Sequence, residues 1–188
     1  GPEPVGASLA GLLPETTYHF RLKARDPRGG QYFGQPMTIK TLSVAEAWRF
    51  KYFQTKDNTG DAADDQNPSG DGISNLMKYA LDMDPLKPSG LPAMMNVRPP
   101  EPGRRLGFSF LRDPEKRDIT YLVEAANSPS GPWQRLASST GGAQTTGSGF
   151  VGESDAAGSK RKVDVQDTVE MSATPARFMR LGVTRDEP

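Results

Sequence analysis

Between Asp57 and Asp84 the chain reads DNTGDAADDQNPSGDGISNLMKYALDMD, the one stretch whose spacing asks for a ligand. Counted from Asn67, oxygen-bearing side chains fall at Asn67, Ser69, Asp71 and Asn75, with Gly72 in the sixth place. That order follows the first, third, fifth and ninth ligand places of a twelve-residue calcium loop. The chemistry on offer is coordination of a hard cation by oxygen. Asp61, Asp64 and Asp65 precede the frame and add carboxylates toward the roughly six to eight oxygens that calcium takes.

The twelfth place, where a bidentate Glu or Asp closes such a loop, holds Lys78. An ammonium about 4 Å from a divalent ion costs on the order of 8 kcal/mol at an effective dielectric near 20, so calcium binding requires Lys78 to point away. Two alternatives stay open. One is a metal-free loop held by Asx turns and helix capping, with Lys78 neutralising the acidic cluster; the other is magnesium or another ion.

Catalytic signals are missing from the sequence. The chain has no Cys and a single His, and no GxSxG, phosphate-cradling glycine loop or HExxH occurs, so a non-catalytic protein is expected. The formal charge is zero, which gives no global field toward nucleic acid or an anionic membrane. No apolar run approaches the ~20 residues a membrane helix needs. In 188 residues, 20 Gly and 17 Pro favour turns and strands over long helices, and the expected class is mainly β. Gly1-Pro2 and the lack of a signal peptide suggest a piece of something longer.

The elements that would position the loop are legible on both sides of it. Ser43 and Glu46 form a capping box, predicting a helix from Val44 to Phe53 with Val44, Ala47, Trp48 and Tyr52 on one face. After the loop, Ile73, Leu76, Met77, Ala80 and Leu81 recur at the spacing of a second amphipathic helix, which Asp84-Pro85 ends. Upstream, Tyr18, Phe20, Leu22 and Ala24 alternate with charged residues as a strand with one buried face; residues 26–30 make a turn and 33–42 the returning strand. His19 falls on the solvent face of that strand.

Downstream, Pro92, Pro99, Pro100 and Pro102 make 91–103 a stiff connector. Strands follow at 104–112, 120–126, 133–137, 162–166 and 178–184, with Leu106, Phe108 and Phe110 on one inner face and Tyr121, Val123 and Ala125 on another. Residues 138–159, rich in Gly, Ser and Thr, read as a long mobile hairpin around Phe150-Val151.

Three resemblances add to this. Leu12, Pro14, Thr16 and Tyr18 stand as in the tyrosine corner of fibronectin type III domains, a likeness covering the last three strands of such a domain. AEAWRFKYF, the turn at 60–64 and NPSGDGISNLMKYALDMDP resemble the calcium-loop segment of large secreted bacterial proteins, related to thrombospondin type 3 and dockerin loops. That likeness implies calcium held by the side chains of Asn67, Ser69, Asp71 and Asn75 and by the carbonyl of Ile73. LGFSF, ITYLVEAANSPSGPWQRL and ARFMRLGVT resemble the terminal β-sandwich that follows such segments.

The expected organisation is a partial fibronectin type III-like sheet at 1–42, a helix–loop–helix calcium segment at 43–90, the Pro-rich linker at 91–103 and an antiparallel β-sandwich at 104–188. The function implied is a calcium-stiffened structural or attachment module of an exported bacterial protein, extracellular or on the cell surface. The alternative is a carbohydrate-binding accessory module of a secreted glycan-active enzyme, with Trp133, Tyr121 or Phe150 as an aromatic platform. Expected partners are other domains of the parent protein, a cell-surface glycan, and a second copy pairing through the incomplete first sheet.

Overall fold

The computed structural model describes residues 5–98, 103–174 and 176–186. The protein is predominantly β, with small antiparallel sheets and two short α-helices, and it divides into two compact units, Gly1–Asp57 and Asn58–Pro188.

In the first unit, β1 (Thr17–Phe20) pairs with β4 (Met37–Lys40), and β2 (Lys23–Arg25) pairs with β3 (Gln31–Phe33). These ladders are two stretches of one hairpin. The expected continuous strands are interrupted because Arg21 and Leu22 face Gly34, Gln35 and Pro36, an unequal match that includes a proline with no N–H to give. A bond from Gly34 N–H to the Leu22 carbonyl, 2.9 Å, bridges the gap. At the turn the Asp26 carboxylate accepts N–H groups from Arg28 at 2.9 Å and Gly30 at 2.8 Å. The Leu13 amide donates to the Tyr18 hydroxyl at 2.8 Å.

Burial departs from the alternating pattern. Phe20, Leu22, Tyr32, Phe33, Met37 and Ile39 are all exposed, since a lone hairpin has no second layer in its own unit to cover them. His19 is also exposed, with its ring nitrogen against the Thr38 hydroxyl at 3.1 Å.

Helix α1 (Val44–Phe53) starts and stops where its sequence says: the Ser43 hydroxyl accepts from Glu46 N–H, and the Glu46 carboxylate accepts from Ser43 N–H. Its buried face is Ala45, Trp48 and Arg49, with Tyr52 half-buried, and Ala47 is exposed. Those positions keep the i, i+3, i+4, i+7 spacing, shifted by one residue from the expected stripe of Val44, Ala47, Trp48 and Tyr52 because the buried face takes in the stem of Arg49.

The described residues of the second unit hold two short 3-10 turns (Gly60–Ala62 and Met171–Ala173), α2 (Asn75–Ala80) and seven strands: β5 (Met94–Arg98), β6 (Arg105–Arg112), β7 (Ile119–Ala126), β8 (Gln134–Thr140), β9 (Phe150–Asp155), β10 (Arg161–Gln166) and β11 (Phe178–Arg185). They form two antiparallel sheets, ordered β5-β6-β10-β9 and β11-β7-β8. Phe108, Phe110, Val163 and Val165 are buried on the first, and Tyr121, Val123, Ala125, Leu136 and Ala137 on the second. The Phe110 and Tyr121 rings meet across the sheets at 5.8 Å.

All five expected strands of this unit are present, and two were not foreseen. Part of the expected connector forms β5, which pairs with β6 through residues that lie between the prolines and keep their N–H groups. Pro99, Pro100 and Pro102 lie outside the described residues. The expected mobile hairpin contains β9 and is fixed to β8 by reciprocal Ser138–Thr146 bonds of 2.8 and 2.9 Å. Its glycines permit close packing: a Cβ on Gly147 would lie 2.2 Å from the Leu136 carbonyl oxygen.

Candidate cation loop and its clamp

The loop and α2 belong to the second unit, and backbone bonds anchor the helix start to the preceding turn. Asn75 N–H donates to the Gln66 carbonyl at 2.8 Å and Leu76 N–H to the Asp64 carbonyl at 2.9 Å. The Asn75 amide adds bonds of 2.8 Å to the carbonyls of Asp61 and Ala63. Ser74 caps the helix, so α2 begins two residues later than the apolar spacing from Ile73 suggested.

Inside the loop lies the ammonium of Lys78. The side chain is fully buried, and Nζ donates to Asp71 Oδ2 at 2.7 Å, to the Ser69 hydroxyl oxygen, and to the Lys87 carbonyl at 3.1 Å. Three N–H groups meet three acceptors, which satisfies a buried ammonium. The Ser69 hydroxyl in turn donates a hydrogen bond to Asn67 Oδ1 at 3.2 Å, so the first, third, fifth and twelfth places of the frame form one hydrogen-bonded chain. Asp71 also accepts from Ile73 N–H at 2.9 Å and Ser89 N–H at 3.0 Å. The Lys78 ammonium first, then these two amides, hold its carboxyl well below the usual carboxylate range.

The other expected ligands go elsewhere. Asp64 forms a two-bond pair with Arg185, Nε to Oδ2 at 2.6 Å and a terminal nitrogen to Oδ1 at 3.0 Å. Asp65 is exposed and accepts from the Gln66 amide, while Asp61 is exposed and its carbonyl is the group bonded. Asn75 is fully buried, and its Oδ1 has no hydrogen-bond partner among the described residues. Of the eight residues expected to ligate, only Ser69 and Asp71 converge on one atom, and that atom is Lys78 Nζ. As arranged, the loop interior is taken up by an ammonium, and a divalent ion placed there would face that charge within hydrogen-bonding distance of two of the expected ligands. Among the described residues, no three His, Cys, Asp or Glu side chains are grouped so as to hold a metal.

The next residue, Tyr79, is fully buried beside two cations: the Lys116 ammonium lies 4.9 Å and the Arg185 guanidinium 5.0 Å from its ring centroid. Its hydroxyl donates to Asp118 at 3.0 Å, and its carbonyl accepts from Lys116. Arg185 also pairs with Asp118. Tyr121 on β7 donates to the Ala80 carbonyl at 2.8 Å, and Lys160 pairs with Asp82 at 2.6 Å. Asp82 takes a left-handed φ of 59°, a conformation Asp tolerates at a helix end.

Burial pushes the Tyr79 and Tyr121 phenols up and Lys116 down; the Lys160 hydrogen bond draws Asp82 down. Sequence reasoning missed this clamp. Arg185 stands 121 residues from Asp64, and nothing in local spacing links them.

The chain matches no protein-family model, no curated protein and no solved structure.

The aromatic candidates for a sugar platform are placed as follows. Tyr121 is buried, Phe150 is half-buried in β9, and the half-buried Trp133 ring is covered at 4.1 Å by the Arg180 guanidinium. Glu124 holds Arg180 there at 2.8 Å. No helix among the described residues is long and apolar enough to cross a membrane.

Proposed function

We propose that the chain is a non-catalytic structural module of an exported bacterial protein, in which the loop and α2 act as a stiff brace built onto a terminal β-sandwich. The observation that carries this reading is the inward use of polar groups at 58–90. Lys78, Asp71, Ser69, Asp64 and Tyr79 bond within the unit, as a brace requires and a ligand-presenting or catalytic loop does not. The twelve-place spacing supports kinship with thrombospondin type 3 and dockerin loops, and the Tyr18–Leu13 bond supports a fibronectin type III-like corner in the first unit. Extracellular or surface location follows from the same kinship.

Limited trypsin digestion of the purified chain tests the brace. Cleavage is expected at exposed hairpin sites such as Arg21 and Lys23, with the bonds after Lys78 and Arg185 resistant. Early cleavage after Lys78 would show a loose linker and sink the reading.

A further inference from the structure

Three departures from a calcium loop coincide in this sequence, and the structure gives them one cause. Asn67 and Ser69 are neutral at the first and third places, Asp71 is acidic at the fifth, and Lys78 stands at the twelfth. The two charged side chains cancel without any ion. Acids at the first and third places would surround a monovalent ammonium with excess negative charge, so the substitutions that weaken a calcium site are those that suit a lysine.

Reach agrees with charge. A closing glutamate holds an ion about 2.4 Å beyond its carboxylate oxygens, and the four-methylene stem of lysine carries its nitrogen about as far from the helix. The twelfth-place residue points into the loop in either case. Here Nζ collects the third-place hydroxyl and the fifth-place carboxylate, and the Lys87 carbonyl supplies the remaining acceptor.

We infer that the Lys78 ammonium is a built-in replacement for the divalent cation, making this a calcium-independent loop that its own helix closes. The inference rests on the structural-module reading and specifies how the brace is locked. A loop of this kind is rigid in any compartment, at any calcium concentration, and it cannot act as a calcium sensor.

The test has two arms on the full chain. In the first, thermal melts of the wild type with excess calcium, excess magnesium or chelator should coincide, and the Lys78 side-chain ammonium resonance in nitrogen-15 NMR should be slowly exchanging and unmoved by calcium. A calcium-specific rise in the melt, or a Lys78 ammonium that exchanges like a solvated lysine, would overturn the inference. In the second arm, the triple variant Asn67→Asp, Ser69→Asp, Lys78→Glu should become calcium-dependent, its midpoint rising by roughly 5–10 °C when calcium is about a hundredfold above its dissociation constant. Folding only in calcium is the same result in stronger form. A triple variant indifferent to calcium, folded or not, would show that the loop does not define a cation place. Any of these failures leaves the brace standing if trypsin still spares Lys78, so the two readings fail separately.

Discussion

The hairpin of the first unit and the loop–helix segment of the second reverse the usual relation between composition and order. The hairpin alternates apolar and charged residues, yet Phe20, Leu22, Tyr32, Phe33, Met37 and Ile39 remain exposed. The segment from Asn58 to Ser89 is rich in small and acidic residues, yet it buries Asn75, Lys78 and Tyr79 completely. Alternation states which face of a strand is apolar and does not supply the layer that covers it. A polar loop, conversely, becomes rigid when each buried donor finds an acceptor, since low local polarity strengthens satisfied bonds and penalises unmade ones.

The contrast can be broken by mutation, beginning where the effect is largest. Phe110→Ala removes a buried ring that touches Tyr121 and should cost about 3–5 kcal/mol in chemical denaturation, whereas Phe33→Ala in the hairpin should cost under about 1 kcal/mol. Comparable losses would mean that the hairpin is covered in solution. Arg185→Ala leaves Asp64 and Asp118 without their guanidinium and uncovers one face of Tyr79, for an expected loss of roughly 2–4 kcal/mol. A change within experimental error would show that the clamp does not fasten α2.

Both units show how far sequence reasoning reached. The α1 capping box, the five strands at 104–112, 120–126, 133–137, 162–166 and 178–184, and the special character of Lys78 were all legible, because each depends on neighbours within a dozen residues. The split hairpin, β5 and β9 were not: Pro36 breaks a ladder that alternation alone would run straight through, and β5 and β9 pair with the next strand from within Pro-rich and Gly-, Ser- and Thr-rich stretches whose composition hides them. The destination of Lys78 was visible as one alternative only; choosing it needed the positions of Ser69 and the Lys87 carbonyl. Arg185, Asp118 and Lys116 carried no local signal at all.

Smaller effects sharpen the account. Tyr121→Phe deletes the bond to the Ala80 carbonyl and should cost about 1–2 kcal/mol with little change in the sheets. Alkaline titration reads the same contacts by charge. Burial raises the Tyr79 and Tyr121 phenols above their ordinary value near about 10, so their contribution is present below that value and is lost as pH rises beyond it. The tyrosinate absorbance that Tyr79→Phe and Tyr121→Phe each remove should therefore appear only with alkaline unfolding. Its appearance in the folded protein would place those rings in water.

Native-state amide hydrogen exchange compares the two regions most directly. The amides of Ile73, Asn75, Leu76 and Ser89 should be protected to within about tenfold of those in β7, while the β2–β3 amides exchange much faster. Loop amides that exchange as fast as the hairpin would contradict the proposed brace, because a brace cannot open more easily than the structure it stiffens.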